Sequence, residues 1–177
     1  MKNLKINFDE IQKAMEDVLR DTFDYFLDSE TGEVIAFSDE ILKEANLQLY
    51  DDDSEEFEDD IEYVEFDEEP ELPDWMLDEI ELALEILLDE HERYIHIPGR
   101  KSSVAYQSMS GFIETITDQD LKEEVSASLN GKGAFRKFKD LLINYPKERK
   151  RWHSYNAKTM KREIIEWLNS VGVKPIP

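Results

Sequence analysis

His91, His96 and His153 are the side chains from which a metal site or a general base would be built. His91 precedes Glu92, as at the start of a helical zinc-protease motif, but the next imidazole comes only at His96. Five residues turn a helix by about 140°, against about 40° for an i, i+4 pair, so the two rings do not share a face. His153 follows Trp152 in a basic run and could act as a general base, yet no nucleophile is implied beside it. The chain has no cysteine, which excludes thiol catalysis, Cys-ligated zinc, iron-sulfur clusters and disulfides. Serine-hydrolase and dinucleotide fingerprints are also absent. The expectation is a non-enzymatic protein with no catalytic residue, no metal and no cofactor.

Two further patterns come close to known chemistry. Asp51, Asp53, Glu55 and Glu62 fall at positions 1, 3, 5 and 12 of a calcium loop. Position 6, which needs glycine for the sharp turn, is Glu56, and position 8 is Glu58, so diffuse cation attraction is expected in place of a calcium site. Asn130-Gly131-Lys132-Gly133 precedes a helix whose first N–H groups could hold an anion beside Lys132. It lacks the earlier glycine and the Ser or Thr of a phosphate loop, and a helix stop plus a tight turn accounts for the same residues.

Charge is the more informative pattern. The 177 residues carry a net charge of -22. Residues 1–92 hold 34 acidic and 5 basic side chains, whereas residues 93–177 hold 9 acidic and 16 basic. The sequence therefore divides into an acidic half, 1–92, and a net basic half, 93–177, expected to form one folding unit. Such a division suits halves that attract each other or surfaces built for partners of opposite sign, although an acidic excess also serves solubility alone.

The elements that must position these charges follow from periodicity. Ile11, Met15, Val18 and Leu19 predict a short helix after Asn7. Phe23 to Leu27 and Val34 to Phe37 predict a hairpin closed at Gly32, and Ser38 or Asp39 caps a helix bearing Ile41, Leu42, Ala45 and Leu49. Residues 51–60 are expected as a mobile acidic loop and 61–66 as an edge strand. Pro73 then opens the strongest helix, with Met76, Ile80, Ala83, Leu84 and Leu87 toward the core. On it Asp74, Asp78, Glu81, Glu85, Asp89 and Glu92 step by 4, 3, 4, 4 and 3, an acidic stripe without a cation.

The second half is predicted as a strand over 93–97 followed by helices. Val104, Ala105, Met109, Phe112, Ile113 and Ile116 mark the first, Asp118 caps one bearing Leu121, Val125 and Leu129, and Phe138 and Leu142 mark the next. The last runs from about Lys147 to Ser170, with Ala157, Met160, Ile164, Leu168 and Val171 inward and Arg151, Tyr155, Lys158 and Arg162 outward. The fold class is α+β, mainly α-helical: a small antiparallel sheet made of the hairpin and segments 61–66 and 93–97, with a helical C-terminal layer. Phe112, Ile116, Phe138, Leu142, Ile164 and Leu168 are expected to share one core in that layer.

IPGRKSSVAYQSMSGFIETI from Ile97, NGKGAFRKFKDLLINYPKERKRW from Asn130 and EWLNSVGVKP from Glu166 resemble a small bacterial family known as uncharacterised protein family 0158. AMEDV and FLDSETGEVI near the N-terminus are similar to it as well. The resemblance spans most of the chain and implies a bacterial cytoplasmic protein, with no activity or catalytic residue to carry over.

No stretch approaches the length of apolar chain that a membrane span needs, and the first residues turn acidic before a secretion signal could form. A cytoplasmic binding or adaptor protein is the leading expectation, with a protein partner on the acidic stripe. The alternative is nucleic-acid binding through Lys132, Arg136, Lys139, Arg151, Lys158 and Arg162, with Trp152 and Tyr155 available to stack on bases. A lesser alternative is a nucleic-acid mimic whose acidic half occupies a basic site on another protein.

Overall fold

The computed structural model describes residues 1–17, 20–52 and 72–177. Lys2–Lys5 forms β1. Asn7 then starts α1 (Phe8–Glu16): its side-chain oxygen accepts the N–H groups of Asp9 and Glu10 at 3.1 and 3.3 Å, an N-cap that satisfies donors the helix itself cannot. Ile11, Ala14 and Met15 are buried. Val18 and Leu19, expected on the same face, lie outside the described residues.

The predicted hairpin is present as β2 (Phe23–Asp28) and β3 (Val34–Ser38), with Tyr25 opposite Ala36. Gly32 is required twice over. Its φ is 80°, and a Cβ there would stand 2.4 Å from the Lys5 carbonyl oxygen, so the turn and the close approach of β1 both exclude a side chain. Ser38 Oγ accepts the Ile41 N–H at 3.3 Å to start α2 (Asp39–Asp52). That helix takes in the first two residues of the segment expected as a loop. The rest of the expected loop, the expected strand at 61–66 and most of the calcium-like pattern lie outside the described residues.

The next helix, α3 (Asp74–Leu87), buries Met76, Ile80, Ala83 and Ile86 against Phe37, Ile41 and Ala45. Ile86 takes the inward place expected of Leu87, which is 40% exposed. The chain leaves the helix after Leu87 and, after six intervening residues, reaches β4 (Tyr94–His96), which pairs antiparallel with β2 on the side away from β3. The sheet order is β3-β2-β4.

Helices follow: α4 (Ser102–Ile113), α5 (Gln119–Ser128), α6 (Ala134–Ile143) and α7 (Pro146–Ser170). Asp118 caps α5 by accepting the N–H groups of Asp120 and Leu121. Phe112, Phe138 and Trp152 meet edge to face, with centroids 5.0–6.3 Å apart, contacts that add about 0.5–1.5 kcal/mol each beyond area burial. Gly111 admits this packing, because a Cβ there would approach the Tyr155 hydroxyl to 2.6 Å.

Val173–Ile176, β5, returns to β1 as a parallel pair, Lys2 beside Val173. This ladder was absent from the expectation because each strand is four residues long and carries no alternation that a local pattern could register.

The residues expected to share one C-terminal core divide between two clusters, apart from the one between α2 and α3. Phe112, Ile116, Phe138 and Leu142 pack with Trp152, whereas Ile164 and Leu168 pack with Ile6, Ile11, Leu27, Ile97 and Val173. A strict i+4 row on α7 serves both. Trp152, Asn156, Met160, Ile164 and Leu168 precess by about 40° per step, so the buried side rotates from one cluster to the other along the helix. Ala157, expected inward, is exposed.

Candidate functional site

The acidic stripe is shorter than its sequence spacing suggests. α3 ends at Leu87, so Asp74, Asp78, Glu81 and Glu85 share a helix face while Asp89 and Glu92 do not. Asp89 is a turn residue: its carboxylate accepts the N–H groups of His91 at 3.1 Å and Tyr94 at 2.9 Å. The Tyr94 N–H holds the Asp89 carboxyl below the usual carboxylate range. Glu92 sits at φ 53°, in the left-handed turn that redirects the chain into β4.

The four helical acids project about 180° from the buried face at 100° per residue, and all four are exposed. Among the described residues no Lys or Arg pairs with them; Glu85 accepts the Tyr94 hydroxyl at 2.9 Å. The sequence left open whether basic residues of the second half would cover the stripe, and its described surroundings leave it facing outward. Trp75, 62% exposed, and Leu77, 46% exposed, flank it on either side.

The basic residues do not form one face. Lys147, Lys150, Ser154 and Lys158 border a depression floored by Phe112, Thr115 and Tyr155. Arg151 also lies there but is committed, ion-paired to Glu148 and donating from Nη2 to the Thr115 carbonyl and hydroxyl oxygens at 3.1 and 2.9 Å. Trp152, expected to stack on bases, is buried in the aromatic cluster, and Tyr155 is half-buried beside it. Arg136 pairs loosely with Asp140 at 3.7 Å. Lys158 and Arg162 are exposed on α7, and Lys132 is exposed in the turn before α6. Lys139 turns away from this depression into a separate cleft.

Two ionic centres were not singled out from sequence. Arg93 donates from Nε and Nη2 to the two Asp28 carboxylate oxygens at 3.0 and 2.8 Å, and its Nη1 lies 3.3 Å from Glu30. Those hydrogen bonds hold the buried Asp28 carboxyl at about 2, against the cost of burial. The pair pins the hairpin turn to the residue that leads into β4.

The second centre is Arg100, with only 7% of its side chain exposed. It makes a two-pronged contact to Glu163 at 3.0 and 2.9 Å and donates from Nη1 to Asn156 at 3.0 Å and Glu16 at 3.4 Å. Asn156 Nδ2 in turn donates to Glu16 at 2.9 Å. This knot ties α1, the Pro98–Arg100 turn and α7 together where the two core clusters meet. IPGRK reads as an exposed turn, and nothing local marks its arginine as buried.

The histidines stand apart from one another: His96 contacts Asp24 on the sheet, His91 is exposed in the turn after α3, and His153 lies on α7. Among the described residues no three His, Asp or Glu side chains are grouped to hold a metal ion, and no helix is long and apolar enough to cross a membrane. Residues 42–176 match the family described as Uncharacterised protein family (UPF0158). No curated protein and no solved structure matches the chain.

Proposed function

The chain belongs to uncharacterised protein family 0158, and from its own surfaces we propose that it is a non-enzymatic adaptor that docks a basic protein partner on the exposed face of α3. One observation carries this reading: Asp74, Asp78, Glu81 and Glu85 form a ridge without a described cation beside it, flanked by exposed Trp75 and Leu77. Four acids in line cost the helix a few tenths of a kcal/mol per adjacent pair, a cost that a partner's Lys and Arg would reverse. Carboxylates steer a basic surface into register, and an exposed indole beside them supplies the kind of aromatic anchor on which binding energy concentrates.

Nucleic-acid binding is the second reading, favoured by the Lys147, Lys150 and Lys158 border of the depression on α7. It is weaker because Trp152 is buried and Arg151 is engaged, leaving phosphate attraction without the stacking that single-strand binders use. The net charge of -22 opposes it at low salt, and at physiological salt within the roughly 8 Å that screening leaves to it.

Capture from a cell lysate, with and without nuclease treatment, separates the two. The wild-type chain is compared with a variant carrying Asp74→Asn, Trp75→Ala, Asp78→Asn and Glu81→Gln, and with one carrying Lys147→Glu, Lys150→Glu and Lys158→Glu. The adaptor reading expects a salt-sensitive protein that is lost only with the α3 changes. Recovery that ignores the α3 changes, and that vanishes with nuclease or with the α7 reversals, overturns it.

A further inference from the structure

A cleft of about 770 Å³ opens between α1, the Pro98–Arg100 turn and the faces of α4, α6 and α7. Its size falls within the roughly 300–1,000 Å³ of small-molecule sites. Each helix gives it one consistent face: Ala105 and Met109 from α4, Phe135, Lys139 and Leu142 from α6, Arg149, Trp152, His153 and Asn156 from α7. Spacings of 3, 4 and 7 put such residues on one side of a helix.

The charges in the cleft are compensated at one end and lack a described partner at the other. At the α1 end, Glu16 and Arg100 are bound into the knot with Asn156, Asp17 accepts the Tyr25 hydroxyl, and Arg20 donates to the backbone carbonyls of Ala14 and Ile97. At the other end, Lys139 and Arg149 are exposed and pair with no described carboxylate, and His153 stands one helical turn from Arg149. Arg149 and Asn156 are about 10 Å apart along α7 at 1.5 Å per residue. Between the two ends the wall is apolar, made by Met109, Phe135, Leu142 and Trp152.

The geometry points to a binding site for a small amphipathic organic anion, an aryl or alkyl carboxylate or sulfonate. Its headgroup meets Lys139 and Arg149, and its apolar body lies against Trp152 and Phe135. At the far end Glu16 and Asp17 stand beside Arg100 and Arg20, so that end is close to neutral and its cations are already engaged, which favours ligands charged at one end over dianions and polyanions. In a chain of net charge -22, two cations without a described partner over an apolar wall form a local field that such a headgroup complements. The site is separate from the α3 ridge, so its failure would leave the adaptor reading standing.

A matched pair of probes tests it on the whole chain. Anilinonaphthalenesulfonate has the anionic headgroup, and N-phenylnaphthylamine keeps nearly the same rings without it. The expected result is one saturable sulfonate site per folded chain, with the neutral amine at least about tenfold weaker. Lys139→Glu with Arg149→Glu should weaken the sulfonate by about tenfold or more and leave the amine unchanged. Ala105→Trp, which fills the cleft without changing its charge, should remove both. Both reversed residues are exposed, so the charge arm stands even where the tryptophan variant does not fold. Equal binding of the two probes, several sulfonate sites per chain, or a sulfonate affinity indifferent to the double reversal would each overturn the assignment.

Discussion

The aromatic cluster and the cluster that joins the chain ends are similar in burial but differ in how far along the sequence their parts originate. Met109 to Trp152, a continuous run of helices, supplies every buried member of the first. The second draws Ile6, Ile11, Leu27, Ile97, Ile164 and Val173 from nearly the whole length. Short loops close the aromatic cluster, whereas the second requires the β1·β5 ladder, the sheet and α7 to be in place together. Loop-closure entropy falls harder on the distant contacts, so polar knots at Arg100 and Asp28 have more to hold there than any charge in the aromatic cluster.

The largest effect belongs to the aromatic cluster. Phe138 has no exposed surface and lies edge-on to Phe112 and Trp152. Phe138→Ala should cost about 3–5 kcal/mol in denaturant melts, the range for a large side chain deleted from a closed site. A loss below about 1 kcal/mol would mean the cluster contributes far less than its burial implies.

The end-joining region should respond to loss of charge more than the aromatic cluster does. Arg100→Leu leaves Glu163 and Glu16 facing each other and Asn156 without its partner. Loss of one member of a fully buried pair costs about 3–5 kcal/mol; here Glu163 and Glu16 keep 22% and 33% of their surface in water, which brings the expected cost to roughly 2 kcal/mol. Amide exchange should accelerate in α1 and β5 in the variant while α5 and α6 stay protected. Uniform acceleration across both clusters would show that the knot does not divide them.

These two regions were unequally legible. The aromatic cluster could be read from the sequence because Phe112, Phe138 and Leu142 lie on amphipathic helices whose period is local; Ile116, expected on the first of them, is buried three residues past the end of α4 at Ile113. The ladder between Lys2–Lys5 and Val173–Ile176 has no such trace, and neither does the buried arginine after Pro98-Gly99. The stripe was over-read at Asp89 and Glu92 because acidic spacing continued past the point where the helix stopped. Trp152 was misassigned because its basic neighbours suggested an outward face, whereas the i+4 row to Met160 and Ile164 determines which way it turns.

Acid distinguishes the knots from the ridge. Asp28 is held at about 2 by the Arg93 hydrogen bonds, below the ordinary 3.8. A depressed carboxyl stabilises the fold above its unfolded value, and that contribution disappears as pH falls through the folded one. Wild-type stability attributable to Asp28 should therefore be complete above about pH 4 and be lost between about pH 4 and 2, roughly 2 kcal/mol in all. Asp28→Asn should be less stable by about that amount at pH 6, and the gap should close toward pH 2. A gap that stayed constant with pH would remove the ion pair from the explanation.

The smallest effect has the opposite sign. Glu81 stands between Asp78 and Glu85 on α3, three and four residues away, and no described cation offsets it. Glu81→Gln removes two like-charge contacts, each unfavourable by about 0.2–0.5 kcal/mol. The variant should be more stable than the wild type by several tenths of a kcal/mol at low salt, with the advantage fading as ionic strength shortens the reach of the charges. Loss of the Arg100 or Asp28 charge should instead destabilise at any salt, because those groups are sheltered from solvent. If Glu81→Gln proves neutral or destabilising at low salt, the ridge is already compensated and the adaptor reading loses its motive. If it stabilises the free chain yet weakens capture of the basic partner, the same carboxylate costs the helix something and contributes to docking, as expected of a surface kept for a partner.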